Sequence, residues 1–253
     1  MYHETFFRYF ATGDLILSVS LAFRIGESTA RNIIKEVSQA LTQVLSPIYL
    51  KAPDTNRWLQ ISADFLQNCN FPNTAGPFDG KHFEIKCPSN SGSSYYNYKK
   101  NFSVVLIAAC DSNYKFTVIH VGEMGGNNDS GIFAQSPIRL SLHNNQIGLP
   151  NGTAALPGSE ERIPMVFLGD GGFPNWPHLM VPYSGKHVNE NRRIFNYRLC
   201  RARRLIENAF GILTARWRIF RRASELLVDS FDSVILATIC LHNFLKTRDE
   251  EQN

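Results

Sequence analysis

The sequence predicts an α/β fold, a mixed β-sheet flanked by helices, preceded by a small all-α segment. Three observations carry that expectation. Residues 5–45 place apolar side chains at helical spacing. From Phe78 onward the texture changes to short apolar runs of strand length separated by polar links. A long amphipathic stretch, Asn196 to Arg222, then follows the last buried run. Interleaved strands and helices of this kind belong to layered α/β architectures. The boundary is placed near Asn68, giving residues 1–68 as a helix-turn-helix-like segment with its connector and 69–253 as the larger domain. A chain of 253 residues, 43% hydrophobic and 19% charged, can bury a sizeable core and is not of disordered composition.

In chain order, Gly13-Asp14 breaks the first helix, and Arg24-Ile25-Gly26 separates a short second helix from a longer third. Ile33, Ile34, Val37 and Leu41 form the apolar stripe of the third, which Glu27 or Ser28 can start. Short helix, tight turn, and a longer helix opening on Ser28, Thr29, Arg31 and Asn32 fit a helix-turn-helix as well as a plain helical hairpin. Pro47 to Thr74 reads as a connector with one short helix around Trp58–Leu66, closed by the turn Asn73–Pro77. DGKHFEIK is the first strand, with Asp79, Lys81, Phe83 and Ile85 on one face. NFSVVLIAACD, apolar throughout, is a buried central strand, and YKFTVIHVG completes a meander. GGNNDSGIFAQSPI opens a helix capped by Asn128 or Asp129. His143 to Glu161 has no period and reads as a long surface loop. IPMVFLGDGGF is a strand running into Asp170-Gly171-Gly172, and a short strand ends near Tyr183. The arginine-rich helix and a last apolar helix, DSFDSVILATICLHNFLK, follow.

Net charge is +4, but residues 192–222 hold ten arginines against the single acid Glu207, a local +9, so the remainder of the chain sums to −5. That segregation points to a polyanion against one face. Residues 1–50 hold four basic and four acidic residues and lack the charge of a strong independent DNA binder. The five cysteines are odd in number and contain no CxxC pair, so no disulfide framework or zinc site is indicated and a reducing compartment fits. Met1 to Phe10 has no apolar h-region, and the run Phe102–Cys110 is too short to span a membrane.

The chemistry concentrates on three acids. Asp79 lies in the first strand, Asp170 ends the fourth, and Glu207 sits on the long helix that follows, a turn after Arg203 and a turn before Gly211. In a mixed sheet of this order the first and fourth strands can be neighbours, and a crossing helix could bring Glu207 to the same point. Converged carboxylates raise one another's pKa unless a cation joins them, and hard divalent ions such as Mg²⁺ or Mn²⁺ suit oxygen donors. Singly, each acid has an ordinary explanation. Glu207 can pair with Arg203 at i,i+4; Asp79-Gly80 and Asp170-Gly171-Gly172 can be turns; Asp129 can cap a helix. Asp111 reads as a turn residue, and His82 and His120 as structural.

The blocks GPFDGKH, GGNNDSGIF, LGDGGFPNW, RLIENAFGIL and LHNFL, in this order, resemble the PIF/Harbinger transposases and the nucleases derived from them, and FATGD…SLAFRIGESTA is similar to that family's helix-turn-helix. The resemblance runs from about Phe6 to Leu245. It implies a ribonuclease-H-like fold and a DDE nuclease using Mg²⁺ or Mn²⁺, with Asp79, Asp170 and Glu207 as its acids and Asp129 as a possible fourth metal ligand. Asn128 stands where the family usually has His. DNA as substrate, a nuclear location (with the cytoplasm as a second compartment) and a separate Myb-like DNA-binding partner are also implied. Arg203, Arg204, Arg216, Arg218, Arg221 and Arg222 are the expected phosphate contacts. The competing expectation is a non-catalytic, DNA-associated protein of the same descent that acts through a partner.

Overall fold

The computed structural model describes residues 2–150, 153–185 and 189–252. Helices α1 (Tyr2–Thr12), α2 (Ile16–Phe23), α3 (Glu27–Tyr49) and α4 (Thr55–Cys69) precede the sheet. Strands β1 (Thr74–Glu84), β2 (Ser103–Cys110), β3 (Phe116–Met124), β6 (Val166–Leu168) and β7 (Leu179–Met180) form it, in the order β3-β2-β1-β6-β7. The pairs β1–β2 and β2–β3 are antiparallel, and β1–β6 and β6–β7 are parallel. This is the mixed sheet and strand order of a ribonuclease-H-like fold. Short helices α5 (Asp129–Gln135) and α6 (Pro137–His143) lie between β3 and a separate hairpin, β4 (Thr153–Ala155) with β5 (Arg162–Pro164). The long helix α7 (Glu190–Arg216), a 3₁₀ turn (Arg218–Arg221) and α8 (Val228–Glu251) complete the chain.

Strand β2 is buried at every position, as its unbroken apolar run requires, and its alternate side chains feed two cores. Val104, Leu106, Ala108 and Cys110 join α1–α3, α8 and the second half of α7 on one face. Val105, Ile107 and Ala109 join α4, α5 and α6 on the other. Period-two geometry makes this division unavoidable. Phe6, Phe10, Ile16 and Ile34 of the N-terminal helices are fully buried in the first core, against sheet residues. Helix α8 is long and apolar enough to cross a membrane by length and composition, yet its Val234, Ile235 and Ile239 are fully buried in that same core.

Several boundaries differ from expectation, each for a local reason. The run Asn73–Pro77, expected as a turn, is largely the start of β1: Gly76, at φ +124°, lies against the Cys110 carbonyl in a β-bulge, and Thr74 Oγ1 donates to the Val166 carbonyl at 3.0 Å. Turn-type residues here build a bulge. Helix α3 carries Pro47 inside its last turn and continues to Tyr49, whose ring packs on Phe244 and whose carbonyl accepts from Asn243 Nδ2 at 2.7 Å. The connector helix α4 is longer than expected because Asp54 caps it, accepting from the Arg57 amide at 2.8 Å. The expected loop 143–161 contains β4, and Asn151 and Gly152 fall outside the described residues. The run from Ile163 divides at Met165 between β5 and β6. Helix α7 ends at Arg216, so Arg218, Arg221 and Arg222 lie beyond it, in and just after the 3₁₀ turn.

Candidate active site

Pairing of β1 with β6 is what creates the site. The parallel register sets Pro77 opposite Leu168, so two residues further on Asp79 and Asp170 emerge side by side at the ends of these pairings. Asp79 is mostly buried, its side chain 21% exposed, on the sheet face that α7 covers. Burial pushes its carboxyl up from 3.8 to about 6; Arg203 and the Gly80 amide oppose that rise, and the negative charges of Asp170 and Asp129 add to it. Asp170 also accepts the Gly172 amide at 2.8 Å, so the turn role and the site position coexist in one residue.

Asp129 comes to β1 from the other face, at Gly80. The cap of α5 is Asn128, whose Oδ1 accepts from the Gly131 amide at 2.7 Å, so Asp129 is not the capping residue. Its carboxylate packs on Gly80, where any Cβ would collide with it. Close approach to the strand needs glycine there. Burial, and then the charge of Asp170, raise the Asp129 pKa.

Glu207 is held differently. It is 54% exposed and projects from α7, with its Oε1 4.0 Å from Arg203 Nη2; the same nitrogen is 3.9 Å from Asp79 Oδ1. One guanidinium therefore stands between the two acids, whose oxygens lie within about 8 Å of each other. Arg203 is only 13% exposed and its buried Nε has no hydrogen-bond partner. It faces Asp79 and Glu207, and little of it reaches solvent. The sequence signal was present in the Arg203–Glu207 spacing.

The other arginines divide. Arg204, Arg216 and Arg218 are exposed; Arg221 lines a cleft beside the site; Arg222 donates to the Gly13 carbonyl at 3.1 Å, tying the end of α1 to the 3₁₀ turn. Asp111 is a turn residue, accepting from the Asn113 and Lys115 amides, and also pairs with Arg57 at 2.9 Å. His82 bonds Ser103 and His120 bonds Glu123, both at 2.8 Å.

The donor set suits a hard divalent cation: carboxylate oxygens from β1, from the end of β6, from α5 and from α7. Burial first, and the charge of Asp170 after it, raise Asp79 and Asp129, and Arg203 is the cation that opposes the rise at Asp79. As placed, no three His, Cys, Asp or Glu side chains among the described residues converge closely enough to hold a metal ion.

Comparison with known proteins decides the family. The DDE superfamily endonuclease profile matches residues 78–243, a span that contains all four acids. The chain belongs to the DDE superfamily endonucleases. It is 28% identical over 240 residues to the Arabidopsis thaliana protein Antagonist of Like Heterochromatin Protein 1, covering 94% of this chain and 60% of that protein. It is 26% identical over 196 residues to Protein ALP1-like, also from Arabidopsis thaliana, covering 76% of this chain and 48% of the relative. The chain thus spans about half to three fifths of these relatives' lengths. No solved structure matches it significantly. Within this endonuclease family, the resemblance to PIF/Harbinger-type proteins read from the sequence blocks stands.

Proposed function

We propose that this chain is a divalent-metal-dependent DNA endonuclease in which Asp79, Asp170 and Glu207 are the catalytic acids and Asp129 is an additional metal ligand. The observation that carries the reading is the β1–β6 register, which sets Asp79 beside Asp170 in a cluster whose burial and like charge raise Asp79 to about 6. Mg²⁺ or Mn²⁺ bound there would activate water and stabilise the leaving oxygen of a phosphodiester. Asp79 must lose its proton to hold a cation, so cation binding strengthens as pH rises through about 6. Arg203 holds Asp79 and Glu207 in reach of one another and keeps Asp79 from rising further. Arg204, Arg216 and Arg218, exposed on the outer side, would take DNA phosphates. The proposal includes action in the nucleus and a separate Myb-like DNA-binding partner.

Plasmid nicking in Mg²⁺ or Mn²⁺ tests this. Wild type should cleave, and Asp79→Asn, Asp170→Asn and Glu207→Gln should each lose at least about 100-fold, since the acids act as one unit. Equal nicking by wild type and the Asp170→Asn variant would sink the reading.

A second reading has a specific observation behind it. Arg203 already supplies a cation between Asp79 and Glu207, and one relative is named as an antagonist of another protein. A non-catalytic, DNA-associated protein working through a partner would keep this internal pair. It would show DNA binding with no metal-dependent cleavage.

A further inference from the structure

A cleft of about 410 Å³ opens beside the acids, walled by Lys81 of β1, Lys99 of the β1–β2 loop, Gly211 and Thr214 of α7, and Phe220 and Arg221 of the 3₁₀ turn. It continues the site directly. Lys81 lies two residues beyond Asp79 on the same strand face, and Gly211 lies one turn beyond Glu207 on α7, where its missing side chain leaves open space. Among the described residues none of Lys81, Lys99 and Arg221 has a carboxylate within ion-pair distance. Glu84, the acid in the cleft wall, is engaged by Asn101 Nδ2 at 2.8 Å. Three cations thus line the cleft without an ion pair, Glu84 being the acid in its wall and Asp79 close enough to favour the charged form of Lys81. Burial, then Lys99 and Lys81, lower the His82 pKa; burial, then Lys99, lower that of half-buried Lys81, with Asp79 opposing.

The rim is prearranged. Asn97, 4% exposed, donates to Ser103 Oγ at 2.8 Å and accepts the Lys99 and Asn101 amides at 2.9 and 3.1 Å, which fixes the loop. That fixed loop holds Tyr98 out into solvent, 78% exposed, its ring edge-on to His82 and 5.4 Å from Lys99 Nζ. An exposed aromatic beside unpaired cations is the combination that single-stranded nucleic acid uses: phosphates in a basic groove, a base on a ring.

We infer that this cleft binds one unpaired DNA strand next to the cleaved phosphodiester, with Lys81, Lys99 and Arg221 on its phosphates and a base stacked on Tyr98. The inference rests on the nuclease reading for its placement of the scissile bond. At about 410 Å³ the cleft is at the small end of ligand sites, and the inference commits it to a single strand with one base on Tyr98.

Binding of a fluorescein-labelled 15-mer oligothymidylate to the full chain, followed by anisotropy in EDTA from 50 to 300 mM NaCl, tests it. The variant K81Q/K99Q/R221Q should bind at least about tenfold more weakly at 100 mM salt, and its log–log salt slope should flatten by about 2, from roughly 0.7 per phosphate lost. Tyr98→Ala should weaken binding about tenfold with the slope unchanged, because stacking releases no counterions. If the triple variant fails to fold, K99Q/R221Q, at exposed positions, should flatten the slope by about 1.4. Unchanged affinity and slope in a folded variant overturn the inference, as does blunt duplex competing as well as the single strand. Because EDTA removes cleavage from the measurement, a wild type that binds in this way but never cuts would fail the nuclease reading alone.

Discussion

Asp79→Asn should stabilise the protein at neutral pH while abolishing its proposed chemistry. The wild-type carboxyl titrates at 3.8 when unfolded and at about 6 when folded, so the folded state holds the proton more tightly. A raised pKa contributes stability that is fully present below pH 3.8 and is lost as pH rises through about 6. A shift of about 2 units, at about 1.4 kcal/mol each, sets a ceiling of about 3 kcal/mol on that loss. Asparagine keeps the shape and has no charge to desolvate, so the variant escapes the loss. Residual exposure and the weakened Arg203 contact reduce the expected gain to about 1–3 kcal/mol at pH 7.5. For a chain of this size that is about 2–4 °C in Tm for each kcal/mol. The assay is thermal denaturation of both proteins in EDTA from pH 4 to 8. The curves should meet near pH 4 and separate progressively through pH 6. Adding Mn²⁺ at pH 7.5 should then raise the wild-type Tm and leave the variant's nearly unchanged. A variant no more stable than wild type at pH 7.5, or a gain that is flat with pH, would refute this account of Asp79.

Other expectations concern neighbouring residues. Arg203→Ala should increase the Mn²⁺-induced rise in Tm, because it removes the cation standing between Asp79 and Glu207; an unchanged or smaller rise would mean that Arg203 helps to hold the site together. Asn128→Ala should cost about 1 kcal/mol in urea denaturation through loss of the α5 cap, whereas Asp129→Asn should spare stability and weaken Mn²⁺ binding by calorimetry. Gly80→Ala should displace the Asp129 carboxylate and reproduce the metal-binding defect of Asp129→Asn, with less than about 1.5 kcal/mol lost since only a side-chain end must move. Trp58→Ala should cost about 3–5 kcal/mol in urea denaturation. That ring is fully buried against Phe167, and its Nε1 donates to the Ile147 carbonyl at 2.8 Å.

Elements whose pattern is local were legible in advance. Strand β2 could be read because it is buried on both faces and therefore apolar without interruption. The break at Gly13 could be read because a positive φ favours glycine, and Gly13 has φ +67°. Where a feature depends on a distant partner, the same reading went astray. Pro47 continues a helix because Phe244 and Asn243 hold the last turn. Asn73–Pro77 enters a strand because β6 and the Cys110 carbonyl lie beside it. Three-residue strands such as β4 and β5 are too short for any period to show.

For the candidate site, the sequence by itself determined the chemical types and their order along the chain: an acid in the first strand, one after a buried strand, one on an arginine-rich helix, and Asn128 or Asp129 as the cap between them. Tertiary structure decided how these groups face one another. The β1–β6 register set Asp79 beside Asp170; Gly80 admitted Asp129; the rotation of α7 turned Arg203, already beside Glu207 by its spacing, inward to Asp79. It also gathered Lys81, Lys99 and Arg221 into one cleft from three separate segments. Local sequence sets which side chain a position carries and which face of its element that side chain leaves from. The pKa of Asp79 and the unpaired charge of the cleft depend on burial and on through-space charge, and those exist only once the elements have packed.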